Sequence, residues 1–255
     1  MKKYALAIFV KTPLVSAVKT RLAEGIGVEE ATKFFTLSVS AIEATTRTLI
    51  SMNPQITPFW AVAEKEALTH PLWTGLPRVS QGEGGLGERL HRVYSKLIGE
   101  FDGVVIIGAD SPQLSSSDLE AAFKVLSGAK GDAGSAIVFG PARDGGFYLV
   151  GSSQKLPREF WLSPRYGTNN AGKDLMNAAR KIREVILLPE EIDVDTVQDL
   201  QTLVSIFPER SEAASSHRAL LDWLNSRSYL SQCSSMDTRI LGDPLGSLKT
   251  SIQSD

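Results

Sequence analysis

Between Gly103 and Pro112 the chain reads Gly-Val-Val-Ile-Ile-Gly-Ala-Asp-Ser-Pro, and no other stretch narrows the possible folds as much. Four successive β-branched residues, Val104 to Ile107, are apolar toward both sides. That pattern fits a central parallel strand covered by helices on each face. Pro112 closes the stretch, because proline brings no N–H to a ladder. Asp110 therefore falls in the turn just beyond the strand, and in open α/β sheets ligands are met outside such carboxyl ends. It is either a functional carboxylate or the side chain of an Asx-type turn leading into a helix near Ser116.

The flanking sequence supports an α/β domain. Tyr4 to Val10 is a short apolar run that reads as a first strand, and it delivers a loop with three cations, Lys11, Lys19 and Arg21. A basic loop after the first strand either meets a phosphate-bearing ligand or is a solvated surface. It has neither the glycine spacing and Lys-Ser/Thr ending of a P-loop nor a Gly-x-Gly-x-x-Gly fingerprint. Phosphate would thus be neutralised mainly by side chains. From Val28 to Ile50, Ala31, Phe34, Phe35, Val39, Ile42 and Leu49 recur at helical spacing and predict a core-facing stripe. Ile56 to Val62 predicts a second strand, which Pro54 and Pro58 favour at an edge or with a delayed start; Trp60 within it reads as core. Arg78 to Gln81 predicts a brief third strand.

Gln81 to Arg89 is the glycine-richest part of the chain and opens a predicted helix from Leu86 to Ile98. Gln81 and Gly82 are candidate nucleotide or phosphate contacts, because glycines before a helix N-terminus let a ligand approach the backbone. A flexible connection is the alternative. Arg89, one turn into that helix, opposes the dipole unless an acid relieves it. Ser116 or Ser117 is expected to cap a helix through Leu126, and Ala133 to Phe139 to form a strand. Gly140 to Gly151 then makes a loop and a returning strand, with Asp144-Gly145-Gly146 as the hairpin turn. Arg143 and Asp144, flanked by glycines, would also let a substrate lie against the backbone. Beyond a loop from Trp161 to Gly167, a helix capped by Asn169 or Asn170 runs to Lys181, and Val185 to Leu188 is the last strand. In Ile192-Asp193-Val194-Asp195-Thr196, period two puts Asp193 and Asp195 on one side. One of them would join Asp110 on a hard cation, or Asp195 or Thr196 is a helix N-cap. Helices extend to about Ser226.

Taken together these elements predict a single domain over residues 1–226, a mostly parallel mixed sheet with helices on both faces, and a weakly ordered tail over 227–255, rich in serine. The net charge of −2 is spread without basic runs, so no nucleic-acid partner is expected. A lone cysteine, Cys233, excludes an internal disulfide, and three histidines argue against a zinc-type site. No apolar run approaches the roughly 20 residues that span a bilayer, and Ala5 to Val10 is too short for a signal-peptide core. A cytoplasmic protein is expected.

The segments Phe9-Val10-Lys11-Thr12-Pro13, Val18-Lys19-Thr20-Arg21-Leu22, Gly108-Ala109-Asp110-Ser111-Pro112, Gly140 to Gly151 and Asp193-Val194-Asp195-Thr196, in that order, resemble the DUF2064 family of bacterial proteins. That group is described as glycosyltransferases associated with radical-SAM and selenodomain proteins. The resemblance implies the nucleotide-diphospho-sugar transferase (GT-A, Rossmann-like) fold. It further implies that Lys11, Lys19 and Arg21 approach nucleotide phosphates, that Asp110 and Asp195 hold Mg²⁺ or Mn²⁺, and that Asp144 with Arg143, Gly145 and Gly146 lines the acceptor side. Gly85 stands where relatives often carry an acid before the leucine. Asp-Ser-Pro replaces the Asp-x-Asp of many glycosyltransferases. The expected activity is sugar transfer from a nucleotide-diphospho-sugar to a small-molecule acceptor, with Asp110 and Asp144 as catalytic residues and Asp144 as general base. Two alternatives stand beside it. One is guanylyl or cytidylyl transfer from a nucleoside triphosphate to a phosphorylated small molecule, and the other is a non-catalytic nucleotide-binding accessory protein.

Overall fold

Alternation along the first strand sets the layers. In β1 (Tyr4–Val10), Tyr4, Leu6, Ile8 and Val10 enter one apolar cluster while Ala5 and Ala7 enter another on the opposite face. The same division holds in β4 (Gly103–Gly108), where Val105 and Ile107 face one way and Val104 and Ile106 the other. The computed structural model describes residues 2–128, 136–210 and 214–226, and the expected tail over 227–255, with Cys233, lies outside them. Among the described residues, β1, β2 (Ile56–Val62), β3 (Arg78–Ser80), β4, β5 (Ile137–Pro141), β6 (Phe147–Ser152) and β7 (Val185–Leu187) form one sheet in the order β3-β2-β1-β4-β6-β5-β7. Only β6 runs against its neighbours β4 and β5; the remaining pairs are parallel.

Helices cover both faces. On one side α2 (Val28–Met52) and α4 (Ser116–Leu126) bring Phe35, Val39, Ile42, Leu119 and Phe123 onto the sheet. On the other lie α3 (Leu86–Leu97), α5 (Arg158–Leu162) and α6 (Ala171–Arg180), with Leu90, Tyr94, Trp161 and Leu175. A third cluster joins α1 (Thr20–Ile26) and α2 to α7 (Val197–Arg210) and α8 (Ser215–Asn225) through Leu22, Phe34, Leu203, Phe207 and Leu220. Burying each such side chain contributes roughly 1.5–3 kcal/mol before the ordering entropy is counted. No helix among the described residues is long and apolar enough to cross a membrane.

Several expectations are corrected. β2 is interior rather than an edge, lying between β1 and β3. Pro58 is tolerated because β3 pairs only with Trp60 to Val62, so at Pro58 the outer side of β2 has no ladder to break. Trp60, by contrast, is core as expected, fully buried against Trp73. The cap of α4 is Ser115, one residue early; its hydroxyl accepts from the Asp118 amide while the Asp118 carboxylate accepts from the Ser115 amide. β5 starts at Ile137, and residues 133–135 of the expected strand are outside the described set. The expected loop at Trp161 begins inside the five-residue α5, which brings Phe160 and Trp161 inward.

Candidate functional site

Strand order places the site. From β1 the chain moves outward to β2 and β3, then returns to lay β4 on the other side of β1, so the connections leaving β1 and β4 part at their carboxyl ends. The loop leaving β1 is anchored at its base. Thr12 is fully buried, its amide donates to Glu64 Oε2 at 2.9 Å, and its hydroxyl accepts from Trp73 Nε1 at 3.0 Å. Burial alone would raise the Glu64 pKa, but the Ser16 hydroxyl and the Thr12 amide outweigh it and hold the carboxyl below its ordinary value. Farther along, Lys19 adopts a left-handed backbone (φ 49°, ψ 45°) at the start of α1. That conformation costs a β-carbon-bearing residue about 1–2 kcal/mol.

The Lys19 side chain is only 3% exposed and ends among three carboxylates. Its Nζ lies 2.7 Å from Asp110 Oδ1, 2.9 Å from Asp195 Oδ1 and 3.8 Å from Asp193 Oδ1. Asp110 stands beyond the end of β4, as expected, and its backbone carbonyl accepts from the Val194 amide at 3.0 Å. One bond thus ties the strand end to the segment carrying Asp193 and Asp195. Thr196 caps the helix that follows: the Asp199 carboxylate accepts from the Asp195 and Thr196 amides, and the Thr196 hydroxyl accepts from the Asp199 amide. Asp195 is therefore left to face Lys19 and, at 3.9 Å, Arg21.

These charges are unevenly shared. Burial would lower the Lys19 pKa, but Asp110, Asp193 and Asp195 together raise it, so the ammonium stays charged. Asp193 is pushed well above the carboxylate range, first by burial and then by the Asp110 charge, with Lys19 only partly offsetting them. Its Oδ1 is shielded from solvent and accepts no hydrogen bond. One ammonium is shared among three acids, and Asp193, the most deeply buried of them, is the least favoured as a charge.

A cavity of about 920 Å³ opens at this point, near the upper end of the range for small-molecule sites. The candidate phosphate ligands Lys11, Lys19 and Arg21 line it, as do Asp110, Asp144, Gly146, Asp193 and Asp195. Gln81 also reaches it, although its amide nitrogen is spent on the Val10 and Ala61 carbonyls at 3.1 and 2.8 Å, which fastens the ends of β1 and β2. Gly82, Arg143 and Gly145 are not among the lining residues. Gly82 (φ 70°) packs against Arg92, and Arg143 is exposed, with its Nε 3.9 Å from Glu190. Gly145 (φ 85°) lies beneath the hairpin tip against the Asn169 carbonyl, while Asp144 Oδ1 accepts from the Gly146 amide at 2.8 Å. Glu88 is turned away, its carboxylate accepting from the Gly85 amide and from Arg158.

Sequence reasoning overlooked the turn before α6. Tyr166, Gly167, Thr168 and Asn169 line the same cavity as the cationic loop, brought there because Gly172 packs against the backbone of Gly145 and Gly146. The Tyr-Gly-Thr-Asn sequence carries no periodicity, and its only local signal, an Asn cap, is not used: Asn170 makes no side-chain cap bond. Arg89 lines the cavity too, its Nε donating to the Gly84 carbonyl at 2.8 Å.

The donors available to a metal are all carboxylate oxygens, which suits Mg²⁺ or Mn²⁺. Among the described residues no group of three or more acid, His or Cys side chains forms a metal cage. Asp110 and Asp195, 37% and 36% exposed, open onto the cavity, and two such ligands suffice where ligand phosphates complete the shell. In kind the residues fit such an ion.

Residues 44–168 match the family DUF2064, described as an uncharacterized protein conserved in bacteria. A solved structure from Desulfovibrio desulfuricans G20, named "putative nucleotide-diphospho-sugar transferase", is 25% identical and superimposes with a TM-score of 0.76 over 90% of this chain and 97% of that one. A cytidylyltransferase from Leptospira borgpetersenii shares the fold at 14% identity and a TM-score of 0.51, covering 90% of this chain and 97% of its own. CMP:2-keto-3-deoxy-manno-octonic acid synthetase complexed with CTP does so at 10% and 0.51, covering 81% of this chain and 99% of its own. Among curated proteins the chain has no match. The sheet is thus that of the nucleotide-diphospho-sugar transferases, as the sequence motifs imply.

Proposed function

We propose that this chain transfers a sugar from a nucleotide-diphospho-sugar to a hydroxyl group of an uncharged small molecule, with Mg²⁺ or Mn²⁺ bound at Asp110 and Asp195. The observation that carries this reading is the division of charge around the cavity. The loop after β1 contributes Lys11, Lys19 and Arg21, whereas Asp144 is the only charged lining residue from the β5–β6 hairpin and the turn before α6. Cations on one wall suit a diphosphate. The hairpin and that turn, with Asp144, Thr168 and Asn169, suit hydroxyl groups, and the Asp144 carboxylate would repel a phosphorylated acceptor. Nucleotidyl transfer needs such an acceptor phosphate, so the same division speaks against it.

In the proposed reaction the acceptor oxygen forms a bond to the anomeric carbon as the bond from that carbon to the diphosphate breaks. Asp144, fixed by the Gly146 amide, takes the acceptor proton. Negative charge gathers on the departing diphosphate, where Lys11 and Arg21 stabilise it. A bound divalent cation supplies Lewis-acid stabilisation of that same charge.

A thermal-shift panel of nucleotide-sugars, nucleoside diphosphates and triphosphates, each with and without Mn²⁺, tests the reading, because a ligand that binds only the native state raises its stability. One nucleotide-sugar should stabilise more than its diphosphate. Asp110→Asn should lose that gain while its ligand-free Tm stays within about 3 °C of the parent. Preference for one triphosphate, with pyrophosphate released, would establish nucleotidyl transfer instead, and no response to any ligand would leave an accessory protein.

A further inference from the structure

The Lys19 ammonium is placed where a cation bridging Asp110 and Asp195 would have to sit. It is in contact with one oxygen of each, both Oδ1, and is almost fully enclosed. Its path there is fixed, because the left-handed backbone at Lys19 leads directly into α1, which Leu22 anchors in the third apolar cluster. A lysine that served only as a phosphate ligand would gain nothing from burial between two acids. Arg21 and Lys11, exposed on the same wall, already have that freedom.

We propose that Lys19 is a resident counter-ion that a divalent metal must displace, so that metal enters this site together with a diphosphate and not ahead of it. The inference rests on the reading that the cleft takes a nucleotide diphosphate with Mg²⁺ or Mn²⁺. A dication and an ammonium drawn to the same carboxylate oxygens repel each other strongly at such range. The ammonium leaves the acids only when another anion receives it, and a diphosphate arriving against the same wall is that anion. Metal and diphosphate then promote each other's binding, by the same factor in each direction. Without ligand, Lys19 holds Asp110 and Asp195 together and keeps free metal out.

The test is Mn²⁺ binding followed by electron paramagnetic resonance on the full chain, with inorganic pyrophosphate as the diphosphate probe. Lys19→Met should bind Mn²⁺ alone at least about tenfold more tightly than the parent, since one like charge is gone. Pyrophosphate should tighten Mn²⁺ binding by the parent more than by the variant. Equal or weaker Mn²⁺ binding by Lys19→Met would overturn the role of Lys19 while leaving the metal site standing. No Mn²⁺ bound by either protein, even with pyrophosphate, would remove the metal reading as well. Should the variant fail to fold with its acids uncompensated, the parent itself decides. In ¹⁵N-lysine spectra the Lys19 ammonium signal should shift when Mg²⁺ and pyrophosphate are added together and stay in place with Mg²⁺ alone. A signal that moves with Mg²⁺ alone, or with neither, overturns the proposal.

Discussion

Glu64 shows how one buried carboxylate holds the loop that leaves β1. It joins the end of β2 to Thr12 at the base of the cationic loop, and its folded pKa lies below the ordinary value of 4.5. The linkage follows from that direction. The unfolded chain takes up the proton first as pH falls, so the contribution is complete above about pH 4.5 and is lost as pH drops through the lower folded value. Glu64→Gln, which trades a charged acceptor for a neutral one, should cost about 1 kcal/mol near pH 7. Stability should then fall less steeply on the acid side, measured as urea midpoints across pH 3–7; parallel curves for the two proteins would show that Glu64 is not the titrating group. Sequence reading could not find this residue. Glu64 sits in an unremarkable turn, and what makes it matter is a Thr12 amide 52 positions away.

At the level of elements, long periodic segments were legible and junctions were not. β1 and β4 fall where short apolar runs with β-branched residues predict them, and α2 where its helical stripe does, because those patterns report burial directly; β2 and α3 also stand where they were expected. Pro58 misled, since whether a proline breaks a ladder depends on how far the neighbouring strand extends. The strand-end acid, the cationic loop and the paired acids after β7 were legible as residues that converge. Their pairing with one another was not, because charge complementarity over such separations leaves no local pattern. Nor was the turn before α6, positioned by a close approach of backbones. Gly172, in the first turn of α6, has the Gly146 carbonyl where a β-carbon would stand, with backbone on that side rather than a flexible side chain. Gly172→Ala should therefore cost about 1–3 kcal/mol. It should also move Tyr166 to Asn169 relative to Asp144, so acceptor KM should rise more than donor KM. Equal effects on both would mean that the turn does not face the acceptor.

Across the whole molecule, the acid arm depends on a seam whose residues do not themselves line the cavity. Arg210, at the end of α7, donates to Glu191 Oε1 at 2.6 Å and to Asp118 Oδ2 at 2.9 Å, while Gln113 donates to Glu191 Oε2 and to the Ile192 carbonyl. These contacts bind α4, α7 and the segment leading to Asp193 into one unit. Arg210→Met leaves the buried Glu191 without its cation, and should cost about 2 kcal/mol, less than a fully buried pair because the guanidinium is partly solvated. A urea midpoint shifted by that amount, with weaker nucleotide binding, is the expected result; lost stability with unchanged binding would separate the seam from the site. The bond between Lys19 and Asp195 joins residues 176 positions apart. Because a ribosome makes chains from the amino end, Lys19, Arg21 and Asp110 all exist before Asp193 and Asp195 do. Until the arm after β7 has been made, Asp110 is the one acid of the three that the Lys19 ammonium can meet. The enclosure of that ammonium is therefore completed late, when the arm after β7 docks against Asp110 through the Val194 amide.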